Sequence, residues 1–287
     1  MTPDRARAAR ELLVFYLEAG VDALLSETPV DRFAGSEAAP RAEPAPTPTV
    51  RRPPPRPSAA SASPAEAPAP PAPETAVMAA RAAARTAATL DELRAIFAGF
   101  DGCALKSTAR QLVFADGNPR ARVMFVGEAP GREEDLEGLP FVGRSGQLLD
   151  RMLAAIGLDR TVAYIANVIP WRPPGNRTPT PQETSICLPF TRRQIELADP
   201  DVLVCLGSPA AQALLEAKEG IMKTRGRWFA YHTGTREIRA IATFHPAYLL
   251  RQPLQKRLAW RDFLAIKQAL ALGGSVGNPA KELANSE

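Results

Sequence analysis

Arg122-Val123-Met124-Phe125-Val126-Gly127-Glu128-Ala129-Pro130-Gly131-Arg132-Glu133-Glu134-Asp135 passes from an apolar run directly into a Gly/Pro turn crowded with acids. Residues 122–127 have the β-branched and aromatic content of a strand buried on both faces, and the turn ends it. Three further runs share that character, at 162–168, 202–207 and 238–244. Longer stretches with helical spacing separate and follow them, at 147–156, 183–198, 210–217 and 258–271. This alternation predicts an α/β layer structure around a largely parallel sheet. In such sheets ligands bind beyond the carboxyl ends of the strands. Polar Gly- or Pro-rich chain should therefore follow each run. It does, as Gly127 to Gly131, Pro170-Trp171-Arg172-Pro173-Pro174-Gly175-Asn176-Arg177, Gly207-Ser208-Pro209 and His245-Pro246-Ala247-Tyr248.

Outward from this core the composition changes sharply. Of 29 prolines in 287 residues, thirteen fall between Pro40 and Pro73, among Ala, Ser, Glu and Arg. Such a segment buries too little apolar surface to offset its ordering entropy. The expected organisation is a helical arm over 1–36, a linker over 37–76, a main domain over 77–272 and a small polar tail over 273–287. Within the arm, residues 4–25 carry Leu13, Leu17, Val21 and Leu24 on one stripe, suited to a protein partner or to docking on the core. Two short helices, 78–86 and 90–97, lead into the main domain.

Three cysteines, Cys103, Cys187 and Cys205, exclude a disulfide-stapled scaffold. No apolar run approaches the roughly 20 residues of a membrane span; the best, 12–25, is interrupted by Glu18 and Asp22. Arg5, Arg7 and Arg10 hint at a targeting peptide, but Asp4 and Glu11 break the pattern. A cytoplasmic, monomeric protein without a membrane partner is expected. The net charge of +4 is uninformative, but residues 223–261 hold nine Lys/Arg against Glu237 alone. That window is either a solvated face or a surface for an anionic partner.

The loops supply the chemistry. Gly127 and Gly131 allow close backbone approach to a ligand, and the acids beside them suit water activation or stabilisation of a developing cation. Phe141, within Gly138-Leu139-Pro140-Phe141-Val142-Gly143, is poorly spaced for core packing and can stack on a planar ligand. Asn167 closes a strand, either as a loop cap or as a donor and acceptor for a heterocycle edge. His245 is one of two histidines and sits directly after a strand. Behind it, Tyr248, Leu249, Leu250 and Arg251 have the makings of an apolar wedge with a phosphate clamp.

Taken together, Gly127 to Asp135, Pro140-Phe141-Val142-Gly143, Asn167 with Arg172 to Arg177, and His245 to Arg251 resemble the family 4 uracil-DNA glycosylases, over about residues 100–270 and in order. The resemblance implies a three-layer sandwich with a central four-stranded parallel sheet, acting on uracil-containing DNA in base excision repair. It implies a uracil pocket built from Gly127, Glu128, Ala129 and Phe141, with Phe141 stacked on the base. Asn167 would read the uracil edge and His245 would donate to uracil O2. Leu249, Leu250 and Arg251 would prop open the duplex while the nucleotide is flipped, with Arg172, Asn176, Arg177 and Tyr248 also against DNA.

Two departures matter. Where better-known relatives carry an Asp or Asn to position water, this chain has Ala129. That role passes to a nearby carboxylate, Glu128 first and Glu134 second. The family also holds an iron–sulfur cluster on four cysteines, yet this chain has Phe100-Asp101-Gly102-Cys103 for the first pair and Trp171 at the third site. Only Cys103 and Cys187 remain of the ligand set, so no cluster and no other metal is expected. Large aromatics in place of the lost ligands could fill the vacated volume. The rivals are a covalent trap for uracil-DNA, a catalytically dead DNA-binding module and an unrelated phosphate-binding enzyme. Residues 172–181 contain no histidine for a trap, and no phosphate-binding fingerprint is present.

Overall fold

The computed structural model describes residues 73–272. The expected helical arm, the linker up to residue 72 and the tail over 273–287 lie outside the described residues. In chain order the elements are α1 (Pro73–Thr86), α2 (Leu90–Gly99), α3 (Leu105–Thr108), β1 (Ala115–Gly117), β2 (Val123–Gly127), α4 (Arg132–Glu137), α5 (Arg144–Ala155), β3 (Tyr164–Asn167), α6 (Pro181–Ala198), β4 (Val202–Leu206), α7 (Ser208–Leu215), α8 (Ile221–Thr224), β5 (Trp228–His232), β6 (Glu237–Thr243), α9 (Pro246–Arg251) and α10 (Lys256–Ala271). Single 3₁₀ turns at Pro174–Asn176 and Pro253–Gln255 interrupt the loops.

The helices begin where side chains satisfy their open N–H groups. At α2, Thr89 accepts from Glu92 N (3.2 Å) while Glu92 reaches back to Ala88 N (2.7 Å). At α6, Thr180 and Glu183 cap each other's backbone around Pro181. The first described helix already covers residues 73–77, ahead of the expected start at 78.

One mixed sheet has the order β1-β3-β2-β4-β6-β5. Its four central strands, β3-β2-β4-β6, are parallel and match the four expected runs. The expectation of four strands is corrected to six: β1 and β5 extend the parallel core as antiparallel edges. Neither reads as a buried strand in sequence. β1 has three residues, and β5 is only partly covered.

Alternation along the central strands divides the interior. Met124, Val126, Tyr164, Leu203 and Cys205 face α1, α2, α6 and α7. Val123, Phe125, Ile165, Val204 and Ile241 face α5 and α10. Helices cover both faces, so the strands must be apolar throughout, which is why β2 and β4 are fully buried. The result is a three-layer α/β/α sandwich in which the carboxyl ends of the four parallel strands lie along one edge.

Candidate active site

Sheet register assembles the centre of the site. Gly127 at the end of β2 lies opposite Asn167 at the end of β3. The two chains stay paired into the turn, with Val168 N donating to Gly127 O (2.9 Å) and Ile169 N to Glu128 O (3.0 Å). Across β4, the Gly207 N–H holds Thr243 O (2.8 Å) at the end of β6, two residues before His245. A cavity of about 220 Å³ opens there, lined by Glu128, Ala129, Phe141, Asn167, Asn176 and His245 among others. A side chain at Gly127 is excluded: its Cβ would lie 2.5 Å from Asn167 Oδ1 and 2.6 Å from the Phe141 ring. The amide, the backbone and the ring therefore converge without anything between them.

Phe141 and Asn167 are each 4% exposed. The Phe141 ring stands 5.4 Å from the His245 imidazole, tilted by 30°. Asn167 Oδ1 and Glu128 Oε1 are buried acceptors without a hydrogen-bond partner among the described residues. Native proteins seldom leave such atoms unsatisfied, because desolvation without compensation is costly. Two in one small cavity mark groups arranged for a ligand's donors. Burial also pushes the Glu128 carboxyl above its ordinary pKa.

Glu134, the second candidate for water activation, is differently employed. Its Oε2 accepts from Gly131 N (3.0 Å) and its Oε1 from Val142 N (3.1 Å) and Gly143 N (3.0 Å). It braces the glycine turn against the Phe141 loop, with both oxygens occupied. Glu128 is thus the carboxylate with a free oxygen in the cavity.

His245 caps α9: Ala247 N donates to its Nδ1 at 3.1 Å. A neutral imidazole that accepts at Nδ1 carries its proton on Nε2. Burial, with the Arg251 charge second, pushes the His245 pKa down to about 4, so the ring is neutral at physiological pH. His245 therefore presents a neutral N–H donor.

Of the expected DNA-side residues, Asn176 and Arg177 line the cavity, and the members of the set are not equivalent. Arg251 is exposed and has no ion pair among the described residues. Leu250 is 37% exposed, whereas Leu249 is 0% exposed and packs with Phe244 and Ala259. Leu249 is thus the buried anchor of α9, and Leu250 is its outward residue. Tyr248 lies against Phe244, 5.0 Å between ring centres. Arg172 donates to Asn176 Oδ1 (2.7 Å), and Arg177 grips Glu183 with both terminal nitrogens (2.9 and 2.6 Å). These two arginines fix the loop at the mouth of the cavity. Leu254, 85% exposed just after Pro253, falls outside the expected set despite being the more prominent apolar side chain. In the basic window, Arg225 pairs with buried Asp262, Arg227 with Glu219 and Arg236 with Asp199 and Asp201, while Arg239 stacks on Trp228. That leaves Lys223, Arg251, Lys256, Arg257 and Arg261 for an anion.

The cysteine corner lies among the helices packed on one face of the sheet. Cys103 Sγ and Cys187 Sγ are 3.8 Å apart and buried. Their hydrogen bond lowers the Cys103 pKa, while burial raises that of Cys187. At the other two ligand positions stand Phe100 and Trp171, which offer no donor atoms. Trp171 meets Phe97 edge-on (4.9 Å), Phe97 stacks on Phe190 (3.9 Å), and Phe100 tilts against Phe190 (5.1 Å). Among the described residues no group of three or more His, Cys, Asp or Glu could hold a metal ion. This donor set does not fit a four-thiolate cluster. Nor is any described helix long and apolar enough to cross a membrane. A larger open groove of about 1190 Å³ lies between α1, α6 and β5, away from the orphaned acceptors.

Residues 114–264 match the family described as the uracil DNA glycosylase superfamily. The chain is 42% identical over 168 residues to the type-4 uracil-DNA glycosylase of Archaeoglobus fulgidus, covering 57% of this chain and 84% of that one. It is 45% identical over 150 residues to that of Thermotoga maritima (52% and 77% covered) and 37% over 174 residues to that of Saccharolobus solfataricus (59% and 81%). The sandwich, the strand-end cavity and these relatives agree: the chain belongs to the uracil-DNA glycosylase superfamily.

Proposed function

We propose that the chain is a monofunctional uracil-DNA glycosylase, hydrolysing the N-glycosidic bond of flipped-out uracil to initiate base excision repair. The observation that carries this reading is the convergence of two orphaned buried acceptors and one neutral imidazole donor on a single small cavity.

The complementarity is specific. Uracil offers an N3–H donor between two carbonyls. Asn167 Oδ1 accepts from N3–H while its amide donates to O4, and Phe141 stacks on the ring. Cytosine presents an acceptor and an amine at those positions, which leaves the buried amide unpaired and excludes it. As the bond between N1 and C1′ breaks, its electron pair moves to the base and negative charge grows on O2. The His245 Nε2–H stabilises that charge, and being neutral it need not give up its proton. The sugar becomes cationic. Glu128 stabilises it and takes the proton of the water that adds to C1′; the departing uracil anion then takes up a proton from solvent and Glu128 releases its own, leaving free uracil and an abasic site with the phosphodiester chain intact.

The reading includes the absence of an iron–sulfur cluster, with the Phe97, Phe100, Trp171 and Phe190 rings serving as the packing that holds Cys103 and Cys187 in place. Protein purified without exposure to air is expected to contain less than about one iron per chain; about four would contradict this. It also includes a cytoplasmic monomer whose arm over 4–25 serves a protein partner.

The direct test is an end-labelled oligonucleotide with a single uracil, run on a denaturing gel with and without alkali. A shortened band only after alkali is the expected result. A denaturant-resistant protein–DNA band would mean covalent capture, and no change in either lane would mean a non-catalytic module.

A further inference from the structure

Phe141 holds a left-handed backbone, φ 56°, which side chains other than glycine adopt only when their surroundings impose it. Arg160, in the turn between α5 and β3, supplies that constraint. Its Nη1 donates to Pro140 O (3.1 Å) and its Nη2 to Phe141 O. Arg160 is itself held from two elements, by Asp116 on β1 and by Asp150 on α5, the latter through Nε at 2.9 Å. From the opposite side Glu134 takes the Val142 and Gly143 N–H groups. The carbonyls of both peptides flanking Phe141 are thus held on one side, and the amides of the two residues that follow it, Val142 and Gly143, on the other. The path is kept open at Gly146, where a Cβ would land on the Phe141 carbonyl.

We propose that Arg160 is a positioning residue for uracil excision: by holding the Pro140 and Phe141 carbonyls it fixes the backbone that sets the Phe141 ring across the pocket. Asp116 and Asp150 orient Arg160, which gives the three-residue edge strand β1 a part in the chemistry. Without the guanidinium, the peptides can turn to a negative φ, and the Cα–Cβ bond then carries the ring away from Gly127 and His245. The inference rests on Phe141 being the base-stacking residue.

The test is a double-mutant cycle of Phe141→Leu, Arg160→Met and the pair, on single-turnover excision and on inhibition by free uracil, well below each variant's melting temperature. Arg160→Met is expected to slow excision about tenfold and to weaken uracil inhibition in step, with affinity for uracil-free duplex within about twofold. Arg160→Lys, which can still reach one carbonyl, should recover part of the loss. The pair should be no more than about twofold slower than Phe141→Leu alone, because both changes remove one interaction. A role in stability alone would lower the melting temperature and leave rate and inhibition unmoved. Parental rate in Arg160→Met, or losses that multiply in the pair, would overturn the proposal. If Arg160→Met does not fold, Asp116→Asn carries the same cycle, with a smaller loss that also fails to multiply. Parental rate in Phe141→Leu would take down the stacking reading itself. Loss there with none in Arg160→Met overturns only the role of Arg160.

Discussion

Glu128→Gln is expected to lower single-turnover excision of uracil by at least about tenfold while affinity for uracil-containing DNA stays within about twofold. The substitution keeps the shape and removes the charge proposed to stabilise the sugar cation and accept the water's proton. Two accompanying changes separate this from general damage. Burial raises the Glu128 pKa, so the parent should lose activity with falling pH above the ordinary carboxylate range. His245, neutral down to about 4, does not supply that limb, and the Gln variant should lack it. The second change concerns stability. A carboxyl whose folded pKa lies above its unfolded one destabilises the fold once pH rises through the folded value, because the charged form is then buried. Glu128→Gln is therefore expected to melt higher than the parent at neutral pH, in a thermal unfolding scan. Unchanged excision would remove Glu128 from the mechanism.

His245→Asn is expected to cost about 10² to 10³ in single-turnover rate, the range for losing one donor to a developing oxyanion. Asparagine is chosen because it caps helices well, so the bond from Ala247 N survives while the Nε2–H donor is lost. Alanine would confound the two, since a lost cap costs about 1 kcal/mol. The pH dependence carries a sign. With a folded pKa near 4 against an ordinary 6.5, the unfolded chain binds the proton first. Stability therefore falls as pH drops from about 6.5 towards 4, and His245→Asn should flatten that part of the melting-temperature profile. Excision that rises as pH falls through 6.5 would instead mean that the imidazolium is the working donor.

The parallel core and the strand-end positions that meet at the cavity were legible because each rests on local sequence. Apolar runs name β2, β3, β4 and β6; Gly127 and Asn167 close two of them, and His245 follows the last. Edge strands were not legible. Ala115–Gly117 is too short for any period, and its pairing with β3 is a tertiary outcome. The separate fates of Glu128 and Glu134 were also hidden, since they depend on which backbone N–H groups face each carboxylate. Leu249 and Leu250 look alike in a string, but the short helix α9 turns one inward and one outward. Arg160 gave no signal at all: its partners Asp116 and Phe141 are 44 and 19 residues away.

Hydrolysis of the uracil glycosidic bond in this pocket is read by mass spectrometry of a single-uracil oligonucleotide after incubation with the enzyme. The expected products are free uracil and an abasic oligonucleotide of unbroken chain, lighter by uracil and heavier by one water, with no reaction at cytosine. An intact oligonucleotide, a protein–DNA adduct or a broken chain would overturn the assignment.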